Sequence, residues 1–243
     1  MKMKTAKVND AYVIENETLP KRWLDIFGEC QKFSLDNGFA TDDTTGDPSS
    51  FTMTVTEAGA GNTTAVNATS RGDSMLITTA ANEYDGINLQ LKGEAFKLTS
   101  SKPLYFGCKL KVSDATQSDL LIGLAETDTA LLAVASAHAA DYGTSDVAGF
   151  LKLDASTTIA TQTVLTGTVT GSANYSTALD TDYTIFELYW NGSTLFYYID
   201  GNEVTSVSGG LPDGDMTPTI NFRAGAAAVK TCTIAWWRCF QAN

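Results

Sequence analysis

Apolar and polar residues alternate with a period of two along much of this chain. The longest clean run, Leu104-Tyr-Phe-Gly-Cys-Lys-Leu-Lys-Val112, sends Leu104, Phe106, Cys108, Leu110 and Val112 to one side and Tyr105, Lys109 and Lys111 to the other. Successive side chains of a strand point to opposite faces, so the run predicts a strand buried on one face. Phe51, Met53 and Val55 repeat the pattern against threonines, and so do Met75 with Ile77 and Ile87 with Leu89 and Leu91. Leu120, Leu121, Ile122 and Leu124 do not alternate, which predicts a strand covered on both faces. The Ala-rich stretch 129–140, with Asp128 as its N-cap, is the one candidate helix.

The C-terminal third carries the strongest turn signals. Asn191-Gly192 and Asp200-Gly201 separate the runs 183–190, 193–199 and 203–207. Both dipeptides tolerate the positive φ of two-residue hairpin turns, so the three runs form an antiparallel meander. With 219–223 and 230–240 the expected count is ten to fourteen strands. The last strand is expected in the interior, paired with strands from early in the domain. Strict alternation there puts Cys232, Ile234, Trp236 and Phe240 on one face and Ala235, Trp237 and Cys239 on the other. Of the adjacent aromatics Tyr189 and Trp190, Phe196 to Tyr198, and Trp236 and Trp237, alternate members should enter the core, leaving the others to line a groove or a subunit interface. The fold class is therefore all-β, a two-sheet antiparallel β-sandwich spanning 29–243. Residues 1–28 show no period and are expected as an irregular arm.

Composition agrees: 43% of the 243 residues are hydrophobic and 18% charged, enough apolar material for one large core. The net charge is −12, yet residues 1–22 carry Lys2, Lys4, Lys7, Lys21 and Arg22 against Asp10, Glu15 and Glu17, a local +2 that leaves −14 on the remainder. An acidic body argues against nucleic acid as a partner. No run approaches the ~20 apolar residues of a membrane span, and Met1–Asp10 has no apolar stretch of a signal peptide, so no membrane insertion is expected. Cys30, Cys108, Cys232 and Cys239 form no metal-binding spacing. Cys232 and Cys239, about 23 Å apart on one strand, lie too far apart for a disulfide, and no intrachain disulfide is expected.

The segment Ile185-Phe-Glu-Leu-Tyr-Trp-Asn-Gly-Ser-Thr-Leu-Phe-Tyr-Tyr-Ile-Asp-Gly-Asn-Glu-Val204, then Leu211-Pro212, then Cys232-Thr-Ile-Ala-Trp-Trp-Arg-Cys-Phe240, resembles concanavalin A-like jelly rolls over about 51–240. A narrower stretch, Leu121-Ile-Gly-Leu-Ala-Glu-Thr-Asp-Thr-Ala-Leu-Leu132 behind Phe106-Gly-Cys-Lys-Leu-Lys-Val-Ser-Asp-Ala115, is similar to bacteriophage virion proteins that decorate capsids or form fibres. That resemblance implies a non-enzymatic structural protein on the capsid surface, assembled in the host cytoplasm. Its partners would be the major capsid protein or other virion proteins, and it would form a homo-oligomer. The less acidic arm, with Lys2, Lys4, Lys7, Lys21, Arg22 and Trp23, is the candidate anchor, expected to order on that partner. The other reading is a carbohydrate-binding adhesin or lectin domain that takes a host-surface glycan.

Candidate chemistry is sparse. Glycoside hydrolases of this fold use Glu-x-Asp-x-x-Glu, and Glu83-Tyr84-Asp85 continues Gly86-Ile87-Asn88, without the second glutamate. His138 is the only histidine, so any histidine-dependent triad must pass through it, and no Gly-x-Ser-x-Gly accompanies it. Asp42, Asp43 and Asp47, and Asp213 with Asp215, are loop carboxylates that supply too few oxygens for calcium by themselves. Arg71-Gly72-Asp73 reads as turn chemistry. No catalytic residue, metal or cofactor is expected.

Overall fold

The computed structural model describes residues 51–67, 74–132, 137–156, 158–175, 179 and 181–242, and the backbone of three strands nearer the N-terminus. Those three are β1 (Met3–Val8), β2 (Ala11–Asn16) and β3 (Cys30–Leu35). The chain continues through β4 (Phe51–Thr56), β5 (Thr64–Asn67), β6 (Met75–Thr78), β7 (Gly86–Leu91), β8 (Leu104–Val112), β9 (Ser118–Ala125) and β10 (Val147–Lys152). It ends with β11 (Ile159–Leu165), β12 (Thr168–Tyr175), β13 (Thr184–Trp190), β14 (Leu195–Ile199), β15 (Asn202–Val207), β16 (Thr217–Ala224) and β17 (Thr231–Ala242).

Two antiparallel sheets face each other. One has seven strands in the order β12-β11-β10-β9-β16-β7-β4, the other runs β15-β14-β13-β8-β17-β6-β5 with β3 also on β17. The predicted meander is β13-β14-β15, and the long alternating strand is β8. The core between the sheets takes Leu120, Ile122, Phe150, Ile220 and Phe222 from one side and Phe106, Cys108, Phe186, Leu188 and Trp237 from the other, all essentially inaccessible. Tyr197 of β14 crosses the gap: its hydroxyl lies 2.8 Å from Thr163 Oγ1 and donates to the Gln162 carbonyl at 2.9 Å, both on β11. The sulfurs of Cys108, Cys232 and Cys239 are free thiols in this core.

β17 is central, as its two apolar faces suggested. One edge pairs with β8 along its length; the other pairs first with β6, through Thr231 to Ile234, and then with β3, through Trp237 to Ala242. The strict alternation expected of it is corrected. A β-bulge between Ile234 and Trp236 inserts Ala235, and one extra residue reverses every side chain after it. Cys232, Ile234, Trp237 and Cys239 therefore all point into the core at 0% exposure, and Trp236 and Phe240 lie on the outer face.

Two other expectations change. Residues 3–16, expected to be irregular, form a hairpin with Met3 opposite Asn16 and Val8 opposite Ala11, leaving Asn9-Asp10 between the strands. The candidate helix after Asp128 is absent among the described residues. Asp128 Oδ1 accepts from Ala130 N, two residues on, which makes a turn, and Leu132 bridges to Ala140. Leu131, Leu132 and Ala140 pack on the seven-stranded sheet here. No described helix is long and apolar enough to cross a membrane.

Candidate functional site

The outer face of the seven-stranded sheet, away from the core, is where polar residues collect. Register sets Thr54, Asn88, Asn221 and Leu121 in one row, and Thr52, Gln90, Thr219, Gly123, Gly149, Gln162 and Ser172 in the next. These are amides and hydroxyls with a glycine floor. A Cβ on Gly123 would sit 2.2 Å from the Ala148 carbonyl oxygen, so β9 and β10 meet too closely at the centre for any side chain.

The amides hold the segment behind β9 onto this face. Asn88 Nδ2 donates to the Asp128 carbonyl and Gln90 Nε2 to that of Glu126, while Gln90 Oε1 accepts from Asp128 N at 3.0 Å. Beside the polar rows, Leu131, Leu132 and Tyr142 pack on Leu121, Ala125, Val147, Leu151 and Val164, a second apolar cluster separate from the main core. That cover is why β9 reads as apolar on both faces. Burial pushes the Tyr142 phenol well above its ordinary pKa.

At the end of the same face stands an ionic cluster assembled from five segments. Asp119 of β9 is 0% exposed; its Oδ2 accepts from Arg223 Nε at 2.9 Å and Nη2 at 2.7 Å, and its Oδ1 from Asp154 N at 2.6 Å. Arg223 Nη2 also donates to the Ala137 carbonyl at 2.7 Å. His138 places Nδ1 2.8 Å from Asp119 Oδ2 and Nε2 3.1 Å from Glu83 Oε1, with Asp154 Oδ2 at 3.9 Å. Burial alone would lower the imidazole's pKa, but the hydrogen bonds to Asp119 and Glu83 and the charge of Asp154 outweigh it, and the net shift is upward. The Tyr84 ring stacks on His138 at 4.7 Å with Arg223 5.3 Å from its centroid. Tyr84 holds this place with φ at 73°, a left-handed conformation that is costly for an aromatic residue and fixed by its N–H bond to the Ala224 carbonyl. Behind the cluster, the buried Lys152 ammonium donates to the carbonyls of Thr116 and Ser118, and burial lowers its pKa.

The cluster spends its charges on itself. Both nitrogens of His138 and both oxygens of Asp119 are engaged within the cluster. Asp85, the middle residue of Glu83-Tyr84-Asp85, is fully buried and accepts from Ala58 N, Asn82 N and Asn82 Nδ2, tying two loops together. Two acceptors on this side of the sheet have no donor: Asn88 Oδ1 and Asp154 Oδ1. Buried oxygens without a partner are rare.

The other candidates from sequence lie elsewhere. Lys4 and Lys7 fall on β1, and Lys2, Lys21, Arg22 and Trp23 lie outside the described residues, as do Asp42, Asp43, Asp47 and Arg71-Gly72-Asp73. Asp213 and Gly214 donate their backbone N–H groups to Asp146 Oδ2 at 2.7 and 2.8 Å, and Asp215 pairs with Lys97 at 3.6 Å. Among the described residues no three His, Cys, Asp or Glu side chains are arranged to hold a metal ion. The aromatics divide as expected, with Trp190, Tyr197 and Trp237 inside and Tyr189, Phe196, Tyr198 and Trp236 on the outer face of the other sheet. Sequence reasoning missed Asp119, Asp154 and Arg223, and read His138 without its partners. The one available signal was charge inside apolar strands, as in Ser118-Asp119-Leu120.

Fold and site together define a concanavalin A-like jelly-roll sandwich. Among solved structures the chain is similar to the carbohydrate recognition domain of Emp47p, at 12% identity and a TM-score of 0.57, covering 86% of this chain and 95% of that one. It is also similar to peanut lectin in complex with a 9mer peptide, at 9% identity and 0.57, covering 88% and 98%. The catalytic domain of an endo-1,3-beta-glucanase from Thermotoga petrophila matches at 13% identity and 0.58, covering 88% and 99%. At these identities the likeness establishes the fold. No family model matches the chain, and no curated protein matches its sequence. The virion role, with its capsid partners and location, gains no support from these comparisons; Leu121–Leu132, the stretch behind it, forms most of β9 and the cover that follows.

Proposed function

We propose that this domain is a non-enzymatic carbohydrate-binding module whose site is the outer face of the seven-stranded sheet, between Asn88 and the Glu83–His138–Asp154 cluster. The observation that carries this reading is the partly exposed group of Glu83, His138 and Asp154 beside the Tyr84 ring at the end of this sheet face. A sugar brings several hydroxyl donors to the Glu83 and Asp154 carboxylates, and the surrounding amides and threonines offer complementary partners. The similarity to lectin-type domains supports the reading at the level of fold. The non-enzymatic part rests on Asn88 standing where the hydrolase pattern needs a carboxylic acid.

Screening the full chain against an array of neutral and acidic glycans tests the proposal. Binding to at least one glycan class is expected, weakened about tenfold by Asn88→Ala or Asp154→Asn with the fold intact. An array without hits, or hits indifferent to both substitutions, would overturn it. Release of reducing ends from a bound β-glucan would overturn the non-enzymatic part.

A further inference from the structure

The opposite sheet carries a different surface. On the outer face of β8 and β17, a pocket of about 260 Å³ is lined by Lys111, Val112, Ser113, Thr181, Thr231 and Thr233. Lys111 sits directly opposite Thr233 across the β8–β17 ladder. Two residues earlier on the same face, Lys109 joins it, and the two ammonium groups lie 5.2 Å (Lys109) and 5.0 Å (Lys111) from the centroid of the Tyr183 ring. Two like charges on one strand face repel, and a tyrosine face offsets only part of that cost.

In a chain with 28 carboxylates and 16 Lys and Arg residues, a lysine has many carboxylates to choose from. Two buried cations follow that expectation, Arg223 with Asp119 and Lys230 with Asp114, while the third, Lys152, donates to two backbone carbonyls. Lys109 and Lys111 have no carboxylate within pairing distance among the described residues. The hydroxyls of Thr181, Thr231 and Thr233 likewise make no hydrogen bond within the described structure. Ser113 Oγ accepts from Thr231 N at 2.8 Å, which leaves its own hydrogen to donate into the pocket. The pocket therefore offers positive charge and hydroxyl donors, and no carboxylate lines it among the described residues.

From this geometry we infer a binding site for a tetrahedral oxyanion, a sulfate or phosphate group, taken either free or as an ester on a saccharide. Lys111 supplies the charge at the pocket wall, Lys109 adds to the field, and Ser113, Thr231 and Thr233 donate hydrogen bonds to the anion's oxygens. Tyr183 keeps both ammonium groups close together beside the pocket. The site is on the sheet opposite the one proposed above for sugars and does not depend on that reading.

The test is a titration of the isotope-labelled full chain with sodium sulfate and with sodium phosphate, each at ionic strength matched by sodium chloride, followed by backbone amide shifts. Saturable shifts confined to Lys111, Ser113, Thr231 and Thr233 are expected. Lys111→Gln should weaken binding about tenfold, Lys109→Gln and Thr233→Val about threefold each, and Lys97→Gln, on a distant loop, not at all. A sulfated disaccharide that binds at least tenfold tighter than both inorganic sulfate and its unsulfated counterpart identifies an ester on a sugar as the source; equal affinity for sulfate and sulfated disaccharide identifies the free anion. Glycan binding that depends on Asn88 should survive Lys111→Gln, so the two sites fail separately. Shifts that do not saturate, or saturable shifts unchanged in Lys111→Gln, would overturn the inference.

Discussion

Replacing Asp119 with alanine removes the shared carboxylate of Arg223 and His138. Arg223 is 2% exposed and Asp119 0%, so the substitution strands a guanidinium in a site with little solvent. Breaking a buried ion pair from one side costs about 3–5 kcal/mol, more than the pair itself is worth, because the remaining charge loses its compensation. The Asp154 N–H that Asp119 Oδ1 accepts is orphaned as well. For a chain of this length the melting temperature should fall by roughly 6–20 °C, and denaturant midpoints should fall in step. Adding Arg223→Met should recover part of the loss, since both charges are then gone; recovery stays incomplete because the Ala137 carbonyl loses its donor. The same carboxylate controls a pH dependence. His138's pKa is raised above its ordinary value of 6.5, so its stabilising contribution is fully present below about pH 6.5 and is lost as pH rises through the higher folded-state value. A histidine titration by NMR should find that pKa lowered in Asp119→Asn, and the stability loss as pH rises above 6.5 should flatten. A cost below ~1 kcal/mol for Asp119→Ala, or no rescue by Arg223→Met, would show that the cluster is solvated and refute the argument.

Tyr197→Phe keeps the ring but removes the hydroxyl that links β14 to Thr163 and Gln162 of β11. It should cost about 1–3 kcal/mol in urea unfolding, with an unchanged m-value. Deleting Ala235 removes the extra residue, so Trp236 and Trp237 keep Lys109 and Cys108 as partners in a regular ladder and Trp237 and Cys239 still face the core. The deletion should therefore still melt cooperatively, whereas Trp237→Ala, which empties a buried aromatic site, should cost about 3–5 kcal/mol; a deletion as costly as Trp237→Ala in urea unfolding would contradict this register.

The sequence determined the class of fold and its most regular strands by itself. Period-two alternation in Leu104–Val112 and the Asn-Gly and Asp-Gly turns around Ser193–Ile199 are local physics, written in a few adjacent residues, and they specify β8 and the β13-β14-β15 meander without reference to the rest of the chain. Where the local signal is weak, strands went unread. Val147–Lys152 is buried on both faces and shows no alternation, and the strands 159–165 and 168–175 are rich in threonine and lack a clear apolar face.

Tertiary structure decided the rest because the deciding contacts join distant residues. Nothing near Ala235 marks it as the bulge; Ile234 and Trp237, three residues apart, both enter the core only because the pairing of β17 with β8 leaves Ala235 out of the ladder. The alanines after Asp128 have helical propensity. The chance to bury Leu131, Leu132 and Tyr142 against β9 and β10 outweighs it. The ionic cluster draws on positions 83, 119, 138, 154 and 223, so charges that look like scattered surface residues in the sequence become partners only when β9, β16 and the loops beside them close around Asp119.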